Sequence, residues 1–194
     1  MGFTYGAFGA AVKAIQSQLN EASSTRLPRL VPDSRFGSIT MARAMEFQFQ
    51  EGLTEDGNVG PATNARLMTK GGKKTRPSGR CILVDLINER LRAFESGMAK
   101  LDFKPIKGGA PGDPSTRGVF KVYKRLRHHT SSKYPIPPGN MDFALFYHGA
   151  EALHQGPPTI PSHGCIHVEP SQAEKLFDWA GNFDVMVIVL KWTR

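Results

Sequence analysis

The chain has 194 residues and a formal net charge of +8, and its length allows one domain or two, each with a buried core. No apolar run is long enough to span a membrane, and residues 1–10 lack the basic start and long apolar stretch of a secretory signal. Lysine and arginine are scattered along the chain, which makes nucleic acid a poor candidate partner, and the charge by itself selects no other.

An internal repeat dominates the first third of the chain. The pattern of Asp, two residues, an apolar residue, Gly, two residues and Thr occurs over 33–40 and again over 56–63. Pro61 suits the first turn of a helix. Apolar residues at helical spacing surround the repeat: Val12, Ile15, Leu19, Ala42, Met45 and Phe49. The pattern predicts three short helices, with glycine in the turns that lead into two of them.

These residues resemble the peptidoglycan-binding-type domain that stands beside many cell-wall enzymes. The resemblance covers residues 10–68 and rests on a succession of pairs: Phe47-Gln48, Gly52-Leu53, Asp56-Gly57 and Gly60-Pro61. It implies a docking module for wall glycan over residues 1–68. A small helical module without activity is the alternative reading.

The composition changes after the helical region. Residues 69–79 are polar, cationic and rich in glycine, as in a flexible linker. Short apolar runs separated by turn residues then predict strands over 81–87, 91–94, 98–106, 118–123, 143–147 and 185–190, with one helix over 171–180. We therefore expect an α+β protein, in which three helices precede a β-rich domain over 80–194.

Cys165 is the residue on which the chemistry depends. It follows Ser162-His163-Gly164 and precedes His167, and His148-Gly149 stands at the end of a predicted strand. A free thiol has a pKa of about 8.5 and becomes a good nucleophile at neutral pH when an imidazole takes its proton. Cys81 opens an apolar run and is expected to pack as a small hydrophobe, which leaves Cys165 as a free thiol.

Two other interpretations of this segment stay open. His148, His163, Cys165 and His167 are all metal-ligand types, although the paired spacing of structural zinc sites is missing. His128, His129 and His154 show no partner pattern and are predicted to face solvent or lie in loops, with His154 as a further substrate contact. No cofactor is expected.

The C-terminal region, over 80–191, resembles the YkuD-type L,D-transpeptidase catalytic domain. The family motif is His-Gly, a spacer, and then Ser/Thr-His-Gly-Cys with an apolar residue after it. His148-Gly149 and Ser162-His163-Gly164-Cys165-Ile166 match that motif. The resemblance implies a sandwich-like fold with a mixed sheet and one helix toward its C-terminal end.

The family's roles imply a catalytic set at matching positions. Cys165 matches the nucleophile, His148 the histidine that takes its proton, and His163 the motif histidine that contributes to substrate or oxyanion binding. Gly149 orients the His148 ring through its backbone. The remaining positions expected to bind or orient the substrate are Ser162, Gly164, His167 and Tyr134, the last in a loop or lid over 124–142.

His167 departs from the family, since many members carry Arg there. Arginine holds a carboxylate with a fixed, permanently charged fork, whereas histidine makes a weaker, pH-sensitive contact. The departure concerns recognition of the donor stem more than the thiol chemistry.

The resemblance implies acyl transfer on peptidoglycan tetrapeptide stems, with a thiol that carbapenems would acylate. Cys165 attacks the carbonyl of the third stem residue, releases D-Ala and forms a thioester. The acyl group then passes to an amine, giving a 3→3 cross-link, to a free D-amino acid, or to water. The sequence leaves the acceptor open.

Stem peptides and glycan are therefore the expected partners of a monomer that acts in the periplasm or cell wall. Since no export signal is visible, the signal was trimmed or the protein travels by another route. Two alternatives follow: a toxin or phage-delivered enzyme that damages peptidoglycan, and a catalytically inert wall-binding protein.

Overall fold

The computed structural model describes residues 2–70, 76–132 and 140–191, and the chain divides into two compact units. One unit contains residues 1–81 together with 94–99, and the other contains 82–93 together with 100–194. None of the helices in the described ranges combines the length and apolar character needed to cross a membrane.

Three helices lie in the first unit, as the sequence predicted. They are α1 (Ala10–Ala22), α2 (Ser38–Gln50) and α3 (Pro61–Thr69). Proline opens α3 at its first position, where no amide hydrogen is needed. The helices bury most of the apolar stripe seen in the sequence, Val12, Ile15, Leu19, Ala42 and Met45, together with Leu67. Phe49, which was expected on the same stripe, is 42% exposed at the end of α2.

A buried glutamine closes each copy of the repeat. Gln48 Nε2 donates to the Asp56 carboxylate at 2.7 Å and to the Thr63 hydroxyl at 3.1 Å. Gln48 Oε1 accepts from the Gly57 N–H at 2.8 Å, where φ is +68° and glycine is favoured. Gln16 makes the equivalent bonds in the first copy. The Asp and Thr of the repeated pattern therefore hold the turns that start α2 and α3.

Nine strands and a fourth helix form the rest of the described chain. They are β1 (Arg80–Asp85), β2 (Arg90–Glu95), β3 (Met98–Phe103), β4 (Gly118–Lys121), β5 (Lys124–Leu126), β6 (Ala144–His148), β7 (Glu151–Gln155), β8 (Ile166–Val168), α4 (Pro170–Ala180) and β9 (Val185–Leu190). One sheet has the order β3-β2-β1-β9-β4 and the other the order β5-β6-β7-β8. The predicted α+β class is confirmed.

A shared core lies between the two sheets and α4. It includes Ile82, Val84 and Val187 from the first sheet, Leu145, Leu153 and Ile166 from the second, and Leu176 from α4. The second sheet is mixed, because β5, β6 and β7 are antiparallel neighbours and β7 pairs with β8 in parallel.

The structure corrects the predicted loop over 124–142 in part. Lys124–Leu126 forms a strand whose residues pair with Ala144–Phe146 of β6. Three residues give too short an apolar alternation to be read from sequence, so the strand becomes recognisable only through its partner. Tyr134 lies outside the described residues.

Candidate active site

Cys165 stands at the entrance to β8. Gly164 before it has a φ of +107°, a conformation that glycine adopts readily and other residues rarely do. The Cys165 Sγ lies 3.8 Å from the carbonyl oxygen of Ala150, at the β6–β7 turn. The half-buried thiol packs against a small apolar cluster that contains Ala152 and Phe146.

Cys165 is a free thiol, as predicted, and so is Cys81. Cys81 is 0% exposed in β1, and burial raises the pKa of its thiol well above the usual value. Its predicted role as a packed hydrophobe is confirmed.

Ser162 fixes the turn that carries the thiol. Its hydroxyl donates to the Cys165 carbonyl at 2.5 Å, and its N–H donates to the Gly108 carbonyl at 3.0 Å. Ser162 is buried. These bonds close the turn on itself and attach it to the loop between β3 and β4.

That loop approaches the turn so closely that one glycine is required. A Cβ on Gly109 would lie 2.1 Å from the Asp113 carbonyl oxygen and 2.8 Å from the Gly164 nitrogen. Both contacts involve backbone atoms, which cannot move aside as a flexible side chain can. The position of the Gly164-Cys165 segment therefore depends on a glycine in a different loop.

Glu151 is a component of the site that the sequence did not reveal. Its carboxylate accepts from the Thr116 N–H at 2.9 Å, from the Thr116 hydroxyl at 2.5 Å and from the Tyr147 hydroxyl at 2.8 Å. A Cβ on Gly164 would lie 3.3 Å from Glu151 Cγ. The carboxylate thus joins the β3–β4 loop to the hairpin beside the thiol.

The electrostatics around Cys165 favour the neutral thiol. Burial raises the pKa of Cys165, and the charge of Glu151 raises it further, against a lowering by a hydrogen bond with the Ala152 backbone. The protein therefore holds a protonated thiol at neutral pH. A neutral thiol becomes a good nucleophile only where a base can remove its proton.

His148 ends β6 and is exposed. Its ring packs on Phe120, with a centroid distance of 4.9 Å. A register irregularity separates it from Phe146, because Phe146 pairs with Ala152 while His148 pairs with Glu151. The Gly149 carbonyl accepts from the hydroxyl of Tyr123.

His163 is exposed in the turn before Cys165. His167 is half-buried in β8, and its Nδ1 lies 2.9 Å from the Ile160 carbonyl oxygen, to which it donates. Burial lowers the pKa of His167, and the charge of His163 adds to that lowering. A neutral ring bonded to backbone leaves His167 with less to offer a substrate carboxylate than a charged arginine would have.

His154 lies inside β7 and is only 5% exposed, so the prediction of a solvent-facing or loop position is wrong. Its Nδ1 lies 2.6 Å from the Gln155 carbonyl oxygen, and its ring centroid lies 5.1 Å from that of His167. Burial lowers the pKa of His154 to about 4, and the charge of His167 contributes. The short apolar run of Ala152 and Leu153, directly after the Gly149-Ala150 turn, was the available sequence signal for a strand that continues through His154.

Within the described ranges, no group of three or more His, Cys, Asp or Glu side chains is arranged to hold a metal ion.

Two family models match the chain. The model described as the L,D-transpeptidase catalytic domain, YkuD, matches residues 79–189. The model described as a putative peptidoglycan binding domain matches residues 8–67.

Two solved structures with the same fold are L,D-transpeptidases. That of Stackebrandtia nassauensis is 22% identical, with a TM-score of 0.53 over 97% of this chain and 94% of its own. L,D-transpeptidase 3 of Mycobacterium tuberculosis, solved with a faropenem-derived adduct, is 18% identical, with a TM-score of 0.51 over 58% of this chain and 60% of its own.

Two curated relatives share shorter segments. The N-acetylmuramoyl-L-alanine amidase CwlL of Bacillus licheniformis is 37% identical over 73 residues, which are 38% of this chain and 20% of that protein. An uncharacterized protein of Kitasatospora aureofaciens is 39% identical over 69 residues, 36% of this chain and 57% of that protein. The chain therefore matches less than two thirds of the length of either. Because the catalytic-domain model alone matches more than half of the residues, the chain belongs to the YkuD family of L,D-transpeptidases.

Proposed function

We propose that this protein transfers acyl groups on peptidoglycan stem peptides, with Cys165 as the covalent nucleophile. The observation that carries the proposal is the position of the thiol. It lies half-buried at a glycine turn held by Ser162, in a domain that matches the L,D-transpeptidase family over 79–189. The match at 8–67 supports peptidoglycan as the partner and the cell wall as the place of action.

The proposed reaction has two steps. In the first, a histidine takes the Cys165 proton while Sγ bonds to the carbonyl carbon of the third stem residue. The C–N bond to D-Ala then breaks, and the proton passes to the departing amine. In the second, an amine or water attacks the thioester carbonyl, the C–S bond breaks, and the thiol is restored.

The raised pKa of Cys165 supports proton removal during attack over a permanently formed thiolate. A general base of this kind contributes a factor of about 10² to 10⁴ in rate. His163, exposed in the turn beside the thiol, is proposed to border the substrate instead of taking the proton.

The test is incubation with muropeptides, with and without a free D-amino acid, followed by mass analysis of the products. Loss of D-Ala alone indicates hydrolysis, dimers indicate cross-linking, and exchanged termini indicate transfer to the amino acid. We expect Cys165→Ala to abolish every product. The matched control is Cys81→Ala, which removes the other thiol from the core and should retain activity wherever the variant is folded.

Retention of products by a folded Cys165→Ala variant would show that the covalent mechanism is wrong. An independent check is a carbapenem adduct, seen as a mass increase on the peptide that contains Cys165 and absent from the one that contains Cys81. A wild-type protein that yields neither products nor adduct would instead fit a catalytically inert wall-binding protein.

A further inference from the structure

We infer that His154, on β7, is the histidine that accepts the proton of Cys165, and that the Gln155 carbonyl holds its ring in the reactive tautomer. This inference rests on the proposed function, since it assigns the base within that reaction. The sequence motif pointed to His148, and three features of the second sheet favour His154.

The first feature is the parallel register of β7 and β8. Leu153 pairs with Ile166 and His154 pairs with His167, so continuing the register by one residue sets Ala152 opposite Cys165. Ala152 and Cys165 do pack in the same apolar cluster. Residues two apart on a strand share a face, which puts His154 on the face of the sheet that carries the thiol.

The contact of the His154 and His167 rings confirms that both lie on one face. His154 is then the diagonal neighbour of Cys165 across two adjacent strands. Neighbouring strands lie about 4.8 Å apart and two residues span about 6.6 Å along a strand, so this diagonal is about 8 Å at the backbone, within reach of an aromatic side chain.

The second feature is the irregularity in β6. Two residues of β6, Tyr147 and His148, stand opposite the single residue Glu151, as in a β-bulge. Past the bulge His148 pairs with Glu151, and its ring packs on Phe120, which in turn contacts the main core. The thiol instead packs with Ala152 and Phe146, a cluster that does not include His148.

The third feature is the hydrogen bond of the His154 ring. A carbonyl oxygen only accepts, so Nδ1 must carry the hydrogen in the 2.6 Å bond to Gln155. In the neutral ring, Nε2 then has a free lone pair. Such a bond fixes both the tautomer and the ring orientation of a base, as the buried carboxylate does in a serine protease triad.

Burial sets the resting protonation state of this ring. The pKa of His154 is lowered to about 4 by burial and by its neighbours His167 and His129, which leaves Nε2 unprotonated at physiological pH and makes the ring a weaker base than a free imidazole. In the reaction, the hydrogen on Sγ moves to Nε2 as the S–C bond forms. It leaves with the amine when the C–N bond breaks.

The test compares His154→Gln with His148→Gln in two assays. One measures D-Ala release from muropeptides. The other measures acetylation of Cys165 by p-nitrophenyl acetate, followed by mass on the Cys165 peptide, which needs only the thiol and its base. We expect His154→Gln to lose about 100-fold or more in both rates, and His148→Gln to lose less than about tenfold.

High pH supplies a signature of a missing base. At about pH 10 the thiolate increasingly forms without a base, so the ratio of the wild-type acetylation rate to that of His154→Gln should become smaller. A ratio that stays constant with pH would indicate that the substitution displaced the thiol, and would overturn the inference. A larger loss of rate in His148→Gln than in His154→Gln, or equal losses of rate in both, would overturn the inference as well.

The outcomes separate this inference from the proposed function. If wild type releases no D-Ala while acetylation of Cys165 depends on His154, the proposed substrate is wrong and the assignment of the base holds. If His154→Gln does not fold, the acetylation rate of His148→Gln decides which histidine is the base. A folded His148→Gln variant that loses about 100-fold in acetylation would overturn the inference.

Discussion

Glu151 places a negative charge close to Cys165, the thiol whose deprotonation the proposed reaction requires. Its carboxylate is held by Thr116 and Tyr147 and raises the pKa of Cys165. This charge disfavours the thiolate form of Cys165. The same contacts make Glu151 a positioning residue for the turn that contains Gly164.

Replacing the carboxylate by its neutral isostere should separate these two roles. We expect Glu151→Gln to lower the pKa of Cys165, because the charge that disfavours the thiolate is removed while the side-chain shape is kept. The measurement is the pH dependence of Cys165 alkylation, whose midpoint should move to lower pH. A midpoint that moves upward or stays in place would show that the charge of Glu151 does not act on the thiol.

Truncation of the same residue should affect stability instead. Glu151→Ala leaves the Thr116 N–H and the Tyr147 hydroxyl without their acceptor, and each unsatisfied buried group costs about 1–3 kcal/mol. Urea unfolding should show a loss of this size for Glu151→Ala and a smaller one for Glu151→Gln. Equal losses would indicate that the hydrogen bonds of the carboxylate contribute little.

At the level of single residues, the sequence predicted Cys165 as a free thiol, but it did not predict the residues packed around that thiol. Ser162 to Cys165 are contiguous, so their turn could be recognised from a motif. The face on which a histidine lies depends on strand register and on the bulge between Phe146 and His148, and a shift of one residue reverses it. Residue spacing carries no information about such a shift.

Among the elements, the loop between β3 and β4 offers a sharp test of close packing. Gly109→Ala would bring a methyl group to 2.1 Å from the Asp113 carbonyl oxygen, whereas a Cβ on Gly112 meets nothing within 4 Å. Overpacking of this kind typically costs about 1–3 kcal/mol.

We therefore expect Gly109→Ala to lower both the free energy of unfolding and the rate of Cys165 acylation, since the displaced loop also holds Ser162. Gly112→Ala is the matched control and should change neither. If the two variants behave alike in urea unfolding and acylation, the loop does not position the turn.

The repeated turn in the helical unit makes a second prediction at this scale. Gln48 is buried and bonds the Asp56 carboxylate, the Thr63 hydroxyl and the Gly57 N–H. Gln48→Ala should therefore destabilise the protein by about 1–3 kcal/mol in urea unfolding. The exposed Gln50, on the same helix, makes one bond to the Ser24 carbonyl, and Gln50→Ala should cost less than about 0.5 kcal/mol.

Helices and long strands could be predicted from the sequence because each carries its own periodicity. The stripes of α1 and α2, and the buried run of β9, are visible without their neighbours. Strands β5 and β8 have three residues each. They exist because β6 and β7 present hydrogen-bonding edges, and such partners are set by the tertiary fold.

For the molecule as a whole, His154 should make stability depend on pH. Its pKa in the folded state is about 4, below the value of about 6.5 for an unfolded chain. Between these values the unfolded chain binds more protons, so the free energy of unfolding falls as the pH drops from about 6.5 to about 4.

The size of this effect follows from about 1.4 kcal/mol for each pH unit of difference, which gives about 3 kcal/mol across the window. Urea unfolding at several pH values measures it. His154→Gln removes the titrating group, so its stability should change less with pH than that of wild type. Parallel curves for the two proteins would show that His154 titrates alike in both states.

Because the two thiols differ in burial, the native protein offers a single site for a thiol-reactive dye. Cys81 is sealed in β1 at 0% exposure, while the Sγ of Cys165 reaches the turn at Ala150. A maleimide dye added to folded protein should therefore attach once, at Cys165, without any engineered cysteine. That single dye would block the proposed nucleophile and prevent its acylation, and a second equivalent of dye would enter only as the β-rich fold opens.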